Sequence, residues 1–435
     1  MTVDQAVIRR LHSVVGDQLT ETLRQAEERG EQLSGDDERQ LTRKLIAAEL
    51  GSLAERAYRE SRRPLTDEQE VEITREVMDR LHGLGRIQPL LEDPTISNVF
   101  INGADSVFIT YTDGSQTRSD PVADSDAELM ALIVKAGRRL GRSEKQWDDT
   151  AVSLDLRLPG GDRLHAIRGV TGRPAVTIRR HNWELNSLAH LEALGLTDRA
   201  LSGFIPAAVR AKLNIVVAGG TNTGKTTLLR AMINEIGPEE RLITIEDNLE
   251  LGIERFPDAH PNLVSYEARP PNIEGVGEIT MAACLREALR QSPDRVIVGE
   301  TRGVEVVEML QAMSQGNDGS MCSIHANSAA GALVRLAQYA ALAGLDQETA
   351  NLWIANSVDL ILHIGWIDKI RRVTSVIEVR QAEGLLVNYN TVFKPAADGR
   401  AVPNAGHIQS STMDRVVAAG FDRRLMERRE GWWGE

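Results

Sequence analysis

The segment Gly219-Gly220-Thr221-Asn222-Thr223-Gly224-Lys225-Thr226 leaves a chain few ways to fold. It matches the pattern in which two glycines bracket four residues and a lysine and a hydroxyl residue follow. Such a loop works between the end of a buried strand and the start of a helix. Its backbone N–H groups turn inward onto phosphate oxygens, and the helix dipole adds to the attraction. The flanks comply: Asn214 to Ala218 reads as a short apolar strand and Thr226 to Ile236 as a helix. Lys225 is placed to reach the β- and γ-phosphates of ATP, and the Thr226 hydroxyl to hold Mg²⁺. Gly219, Gly220, Thr221, Asn222, Thr223, Gly224, Lys225, Thr226 and Thr227 are the candidate nucleotide-binding residues.

Downstream, Arg241 to Glu246, Arg295 to Gly299 and Gly319 to His325 read as strands, with Met281 to Gln291 and Val304 to Ser314 as helices. This alternation predicts an α/β domain with a doubly wound parallel sheet, which binds ligands at the carboxyl ends of its strands. All three strands end on side chains that carry chemistry. Glu246 and Asp247 close the first, with Glu250 behind. Glu246 could polarise an attacking water, while the acids could equally serve as loop carboxylates or helix caps. Glu300 ends the second, where a Walker B carboxylate belongs, and Gly299 occupies the place of the usual aspartate. Glu300 alone must then serve the metal or its water; the plain alternative is a solvated strand-end glutamate. His325 ends the third, as a phosphate sensor or a packed histidine. Arg286 and Arg290, four apart on one helix face, fit ion pairs.

The N-terminal half reads differently. Residues 1–62 are charged and helical in pattern, with Leu41, Leu45, Leu50, Leu53 and Ala57 as the apolar stripe. Pro64 interrupts, and Thr66 to Gln69 fits a capping box opening a helix with Ile73, Val77 and Leu81 on its apolar face. Ser97 to Ile101, Ser106 to Tyr111, Val152 to Arg157, Arg163 to Ile167 and Ala175 to Arg179 read as strands around a helix from Ala127 to Leu140. The expected divisions are a helical N-terminal extension over 1–85, an α+β domain over 86–180, a linker over 181–197, the ATP-binding domain over 198–400 and a tail over 401–435. Arg372 to Phe393 adds hairpin-like strands, residues 397–435 read as less regular, and the Trp432-Trp433 pair is open to packing or a loose end.

A formal charge of −13 argues against a protein that coats nucleic acid. Two cysteines, Cys284 and Cys322, are too few for a disulfide framework and read as buried in a cytosolic chain. MTVDQAVIRRLHSVV lacks the apolar core of a signal peptide. The longest apolar stretch, Trp353 to Ile367, is interrupted by Asn356, Asp359 and His363, so the expectation is a soluble protein whose membrane role runs through partners.

The ordered segments GGTNTGKTT, ITIEDNLEL, LREALRQSPDRVIVGETRG and MSQGNDGSMCSIHANS resemble the Walker A, Asp box, Walker B and His box of the type II/type IV secretion ATPase superfamily. GLGRIQPLLEDPTISNVFINGADSVFI, LDLRLPGGDRLHAI and GRPAVTIRRH resemble its CpaF-like branch, which assembles Tad/Flp pili. The resemblance covers roughly residues 64–420. It implies a RecA-like ATPase domain preceded by a PAS-like α+β domain, in a homohexamer with ATP and Mg²⁺ as cofactors. It also implies a place on the cytoplasmic face of the inner membrane, against platform proteins, with pilin moved indirectly and no nucleic acid bound. By position, Glu246 is then the general base, Glu300 assists Mg²⁺ and water, and His325 senses the γ-phosphate. Arg163 and Arg179 are the arginine fingers of the preceding domain; strand-surface arginines are the plain alternative. The loop reads TNTGKT where the branch usually has TGSGKT, and Asn222, in the place of the glycine, tolerates the left-handed conformation. The four-cysteine zinc insertion of many type II members is absent. A VirB11-like conjugation or effector-secretion ATPase shares the boxes and is the main rival; a DNA-translocating motor fits the acidic balance poorly.

Overall fold

The computed structural model describes residues 5–31, 33–140, 147–180, 187–271, 275–404 and 407–427. Part of the expected linker, 181–186, and the Trp432-Trp433 pair lie outside them. The chain divides into two compact units, residues 1–182 and 183–435.

In the first unit, helices α1 (Gln5–Glu28), α2 (Gly35–Arg59) and α3 (Asp67–His82) share one small core of Ile8, Leu11, Val15, Ile46, Leu50, Ile73 and Val77. The continuous helix expected over residues 1–62 is therefore two. Gly30 takes a positive φ of 75°, and Ser34 caps α2 reciprocally with Asp37, so the chain stops and restarts. The buried line of α2 is Thr42, Ile46 and Leu50; Leu50 belongs to the stripe read from the sequence, and Leu45 and Leu53 of that stripe pack half-buried beside it. Thr66 and Gln69 do form the capping box that opens α3.

A short helix α4 (Gln88–Glu92) leads into strands β1 (Ile96–Asn102), β2 (Val107–Tyr111) and β3 (Gln116–Ser119), helix α5 (Asp126–Leu140), and strands β4 (Ser153–Arg157), β5 (Arg163–Ile167) and β6 (Ala175–Arg179). The six strands make one sheet in the order β3-β2-β1-β6-β5-β4, with every neighbouring pair antiparallel. Leu129, Ile133 and Ala136 of α5 pack on its apolar face with Val99, Ile101, Leu164 and Ile178.

The second unit runs α6 (Leu188–Ala193), α7 (Arg199–Arg210), β7 (Ile215–Gly219), α8 (Lys225–Ile233), β8 (Leu242–Glu246), β9 (Leu263–Glu267), α9 (Met281–Leu289), β10 (Arg295–Thr301), α10 (Val306–Ser314), β11 (Met321–His325), α11 (Ala329–Leu342) and α12 (Gln347–Ser357). It ends with β12 (Leu360–Ile367), β13 (Ile370–Glu383), β14 (Leu386–Pro395), β15 (Ala401–Pro403) and α13 (Ser410–Ala418). The nine strands lie in the order β15-β14-β13-β12-β7-β11-β10-β8-β9. From β12 to β9 all pairings are parallel, and from β12 to β15 they are antiparallel. Alternate residues of the P-loop strand feed opposite cores: Ile215 and Val217 join α7, α8 and α13, while Val216 and Ala218 join α9, α10, α11 and α12. Burial on both faces explains the unbroken apolar run of β7. Helix α13 lies in the region read as irregular, and its Met413 and Val416 belong to the α7 core.

Arg295, at the start of β10, is 1% exposed. Its guanidinium forks onto Glu240 at 2.7 and 2.8 Å and donates to the Val209 carbonyl. Losing Arg295 leaves Glu240 with Lys212 alone, at 3.0 Å, and takes the donor from the buried Val209 carbonyl. Arg295→Ala is expected to destabilise the fold by about 3–5 kcal/mol, read from denaturant unfolding of the purified protein.

Candidate active site

Four neighbouring strands, β7, β11, β10 and β8, deliver their carboxyl ends side by side. The P-loop follows β7. Gly219 is forced by close approach: a Cβ there would lie 2.6 Å from the Ile364 carbonyl oxygen. Asn222 and Gly224 take positive φ of 60° and 95°, which turns the loop back over its own backbone. Thr223 donates its hydroxyl to the Gly220 carbonyl at 2.9 Å, and Lys225 donates to the same carbonyl at 2.9 Å.

The lysine begins a line of polar contacts across the strand ends. Lys225 Nζ lies 3.2 Å from His325 Nδ1 on β11. An ammonium can only donate, so Nδ1 accepts and the ring proton belongs on Nε2. Burial holds the His325 pKa below its ordinary value, and the charge of nearby Glu300 only partly offsets this. His325 Nε2 stands 2.8 Å from Glu300 Oε1 on β10, although the two are not aligned as a hydrogen bond. Glu300 is re-aimed by a register shift between β10 and β11, while Ser323 donates to the Gly299 carbonyl beside it. Burial pushes the Glu300 carboxyl up. The hydrogen bond and charge of Arg302, with Lys225, overcome that and hold it below the ordinary carboxylate value.

Arg302 escaped the sequence reading. It donates to Glu300 Oε2 at 2.8 Å and comes within 3.6 Å of Asp247 Oδ2, linking two strand ends. Its position two residues beyond Glu300 was the available signal. Removing a partner that orients a metal-ligating carboxylate typically costs about 10–100-fold in metal affinity or activity. Arg302→Ala is expected to lower kcat by about that factor while leaving ADP affinity near wild type, as measured by phosphate release and calorimetry.

Glu246 sits differently. It ends β8 at 3% exposure, and Oε1 accepts the Glu250 and Leu251 N–H groups, each at 2.9 Å. Arg230 of α8 clamps the same turn by donating to the Leu251 and Glu250 carbonyls at 2.7 and 2.9 Å. Oε2 is buried with no hydrogen-bond partner. Burial dominates and pushes the Glu246 pKa up to about 8 against those two N–H bonds. Gly299 now has a physical reason as well. A Cβ at that position would lie 2.8 Å from Glu246 Cγ, so the space a larger residue would need is filled by the Glu246 side chain. Arg286 pairs with Glu308 of α10 rather than with the site.

Mg²⁺ keeps several waters and takes one or two protein carboxylates plus substrate phosphates. One carboxylate with a buried oxygen lacking an aligned donor, Glu300 Oε1, and one hydroxyl at the head of α8, Thr226, suit that demand.

The arginines Arg163 and Arg179 belong to the first unit. They are cross-strand partners on β5 and β6, and Arg157 of β4 lies directly opposite Arg163. The sequence reading named the first two and missed the third, because only the strand register shows that Arg157 continues the row. Like charges directly opposite cost about 0.2–1 kcal/mol per pair. Asp155, next on the same face of β4, approaches Arg163 at 3.7 Å and His165 at 3.0 Å.

A doubly wound sheet with a P-loop after one strand and carboxylates on its neighbours defines a nucleoside triphosphatase. Comparison with known proteins narrows the class. The family model described as type II/IV secretion system protein matches residues 80–372. A putative conjugal transfer protein of Mycobacterium tuberculosis is 35% identical over 319 residues, which cover 71% of this chain and 88% of the relative. The probable conjugal transfer protein TrbB of Sinorhizobium fredii is 30% identical over 295 residues, covering 67% of this chain and 85% of the relative. Among solved structures, the VirB11 ATPase of the Brucella suis type IV secretion system, in complex with sulphate, is 27% identical with a TM-score of 0.36, over 67% of this chain and 92% of that one. The chain belongs to the type II/IV secretion system protein family and is an ATPase. Among the described residues, no helix is long and apolar enough to cross a membrane.

Proposed function

We propose that this ATPase is a motor of the CpaF-like kind, driving assembly of a Tad/Flp pilus or a related secretion machine. It works as a homohexamer against platform proteins at the cytoplasmic face of the inner membrane, and moves pilin indirectly. The observation that carries the enzymatic part is the line Lys225, His325, Glu300 and Arg302 across adjacent strand ends, with Glu246 on the next strand. Support for the branch comes from the motifs around residues 83–109, 154–167 and 172–181. In this reading the antiparallel unit is the PAS-like domain, α1 to α3 its helical extension, and its arginines the fingers.

The chemistry follows from two carboxylates in unlike surroundings. Glu300 is ionised at neutral pH, and Glu246 in the nucleotide-free fold is largely protonated. Glu246 Oε2 is the oxygen without a partner, buried in the nucleotide-free fold, because Oε1 is held by the turn. Once ionised, Oε2 takes the proton of the water attacking the γ-phosphorus. Lys225 neutralises the β- and γ-phosphate oxygens, and His325 orients the terminal phosphate. Thr226 and Glu300 would hold Mg²⁺, which would supply neutralisation of the phosphate charge. Arg163 and Arg179, with Arg157 beside them, meet the charge that develops in the transition state.

The names of the two curated relatives favour a second reading, in which the machine is a conjugation apparatus. Cross-linking in native membranes, followed by identification of co-purified proteins, separates the two. Pilins and a polytopic platform protein are the expected catch; DNA-processing proteins would favour conjugation instead.

A further inference from the structure

The flank of the P-loop away from Glu300 carries its own pair of side chains. β12 is the other neighbour of β7, with Ile364 beside Gly219. Two residues on, Trp366 faces Arg371 directly across the β12–β13 hairpin. The Arg371 guanidinium carbon stands 4.9 Å from the centre of the Trp366 ring, which makes a cation–π pair. Trp366 is nevertheless 50% exposed. The stem of Arg371 runs against the P-loop, where a Cβ on Gly224 would lie 3.3 Å from Arg371 Cδ. Asp368 and Lys369, at φ of 48° and 63°, close the hairpin in the tight left-handed turn that keeps the two side chains opposed.

A nucleotide on the P-loop has a direction. Its γ-phosphate end belongs on the β11 and β10 side, where Lys225, His325 and Glu300 meet. The nucleoside end leaves by the opposite flank, toward β12 and β13. We propose that Trp366 and Arg371 form the nucleoside subsite, taking the purine ring of ATP or ADP against the exposed face of the stacked pair. The proposal rests on nucleotide binding by the P-loop and adds which residues read its base. Stacking on an aromatic face tolerates any base, so these two residues would give affinity more than choice between adenine and guanine.

The test compares ADP with inorganic tripolyphosphate, which has the phosphates and no nucleoside, by calorimetry on the full chain. Trp366→Ala is expected to weaken ADP about tenfold or more and to leave tripolyphosphate unchanged, whereas Trp366→Phe keeps ADP affinity. Arg371→Ala is expected to behave as Trp366→Ala. Equal weakening of both ligands would assign the pair to the phosphates and overturn the proposal, as would unchanged ADP binding. Failure of the wild type to bind tripolyphosphate or ADP would instead contradict the P-loop reading. Circular dichroism of each variant excludes misfolding as the source of a loss.

Discussion

Replacing Arg163 or Arg179 with alanine is expected to lower kcat by about 10³–10⁵, the range an arginine finger supplies in phosphoryl transfer. The substitutions should leave ADP affinity nearly unchanged, because the charge they meet is largest in the transition state. The strand register makes the expectation sharper. Arg157, Arg163 and Arg179 stand in one row across β4, β5 and β6. Repulsion among three cations on neighbouring strands is set against the ion pair of Arg163 with Asp155 at 3.7 Å, and half-exposed pairs of this kind contribute little, so each alanine variant should keep a stability near that of the wild type. A loss of turnover with unchanged or raised thermal stability would separate a phosphate role from a structural one. Arg157→Ala tests whether the row acts as a unit; a loss comparable to Arg163→Ala is expected. Unchanged kcat in both Arg163→Ala and Arg179→Ala would remove the finger assignment.

The second large effect concerns Glu246. Glu246→Gln keeps the two N–H bonds at Oε1 and removes the base, with an expected fall in kcat of about 10²–10⁴. The pH dependence gives a separate signature. The folded-state pKa of about 8 lies above the ordinary 4.5. Between those values the folded chain holds a proton that the unfolded chain has lost. The stability contributed by this group is therefore full below about pH 4.5 and is lost as the pH rises through about 8. The glutamine variant has no proton to lose, so its stability advantage over wild type should grow across that window. In kinetics, kcat/KM of the wild type should climb with an apparent pKa near 8, since that ratio reports the free enzyme. The residual rate of Glu246→Gln should lack that limb. Denaturant midpoints at pH 5 and pH 8.5, and a pH–rate profile for each protein, check both statements.

Much of the site could be read from the chain because its parts sit at strand ends, and buried parallel strands announce themselves as apolar runs. Glu246, Glu300 and His325 each follow such a run directly. What could not be read depends on contacts between segments far apart in sequence. Gly299 reads as a missing aspartate until the Glu246 side chain is seen in its space. Arg302 draws no assignment from the sequence, because its reach to Glu300 and Asp247 appears only in the folded chain. Arg157 joins Arg163 only through the register of β4 and β5.

Fold elements were missed for related reasons. β3, with the sequence QTRS, has no apolar residue to mark it as a strand and exists through its pairing with β2. β9, an edge strand, is half-buried along its length and lacks the apolar run of its neighbours. α12 buries Asn351 and Ser357 along with Ala350 and Ile354, which blurs the helical period. Gly30 and the Ser34 cap, the residues that divide the first two helices, were visible in the sequence and were outweighed by the charge-rich helical composition around them.

Steady-state phosphate release with ATP and Mg²⁺ by wild type, Lys225→Ala and Glu300→Gln, with ADP binding measured alongside, reaches the assignment of hydrolysis to these strand ends most directly. The wild type should turn over, and Glu300→Gln should lose at least about 100-fold while still binding ADP. Lys225→Ala should lose turnover together with much of its nucleotide affinity. Full turnover retained by both variants would contradict the assignment of hydrolysis to the P-loop and the carboxylate beside it.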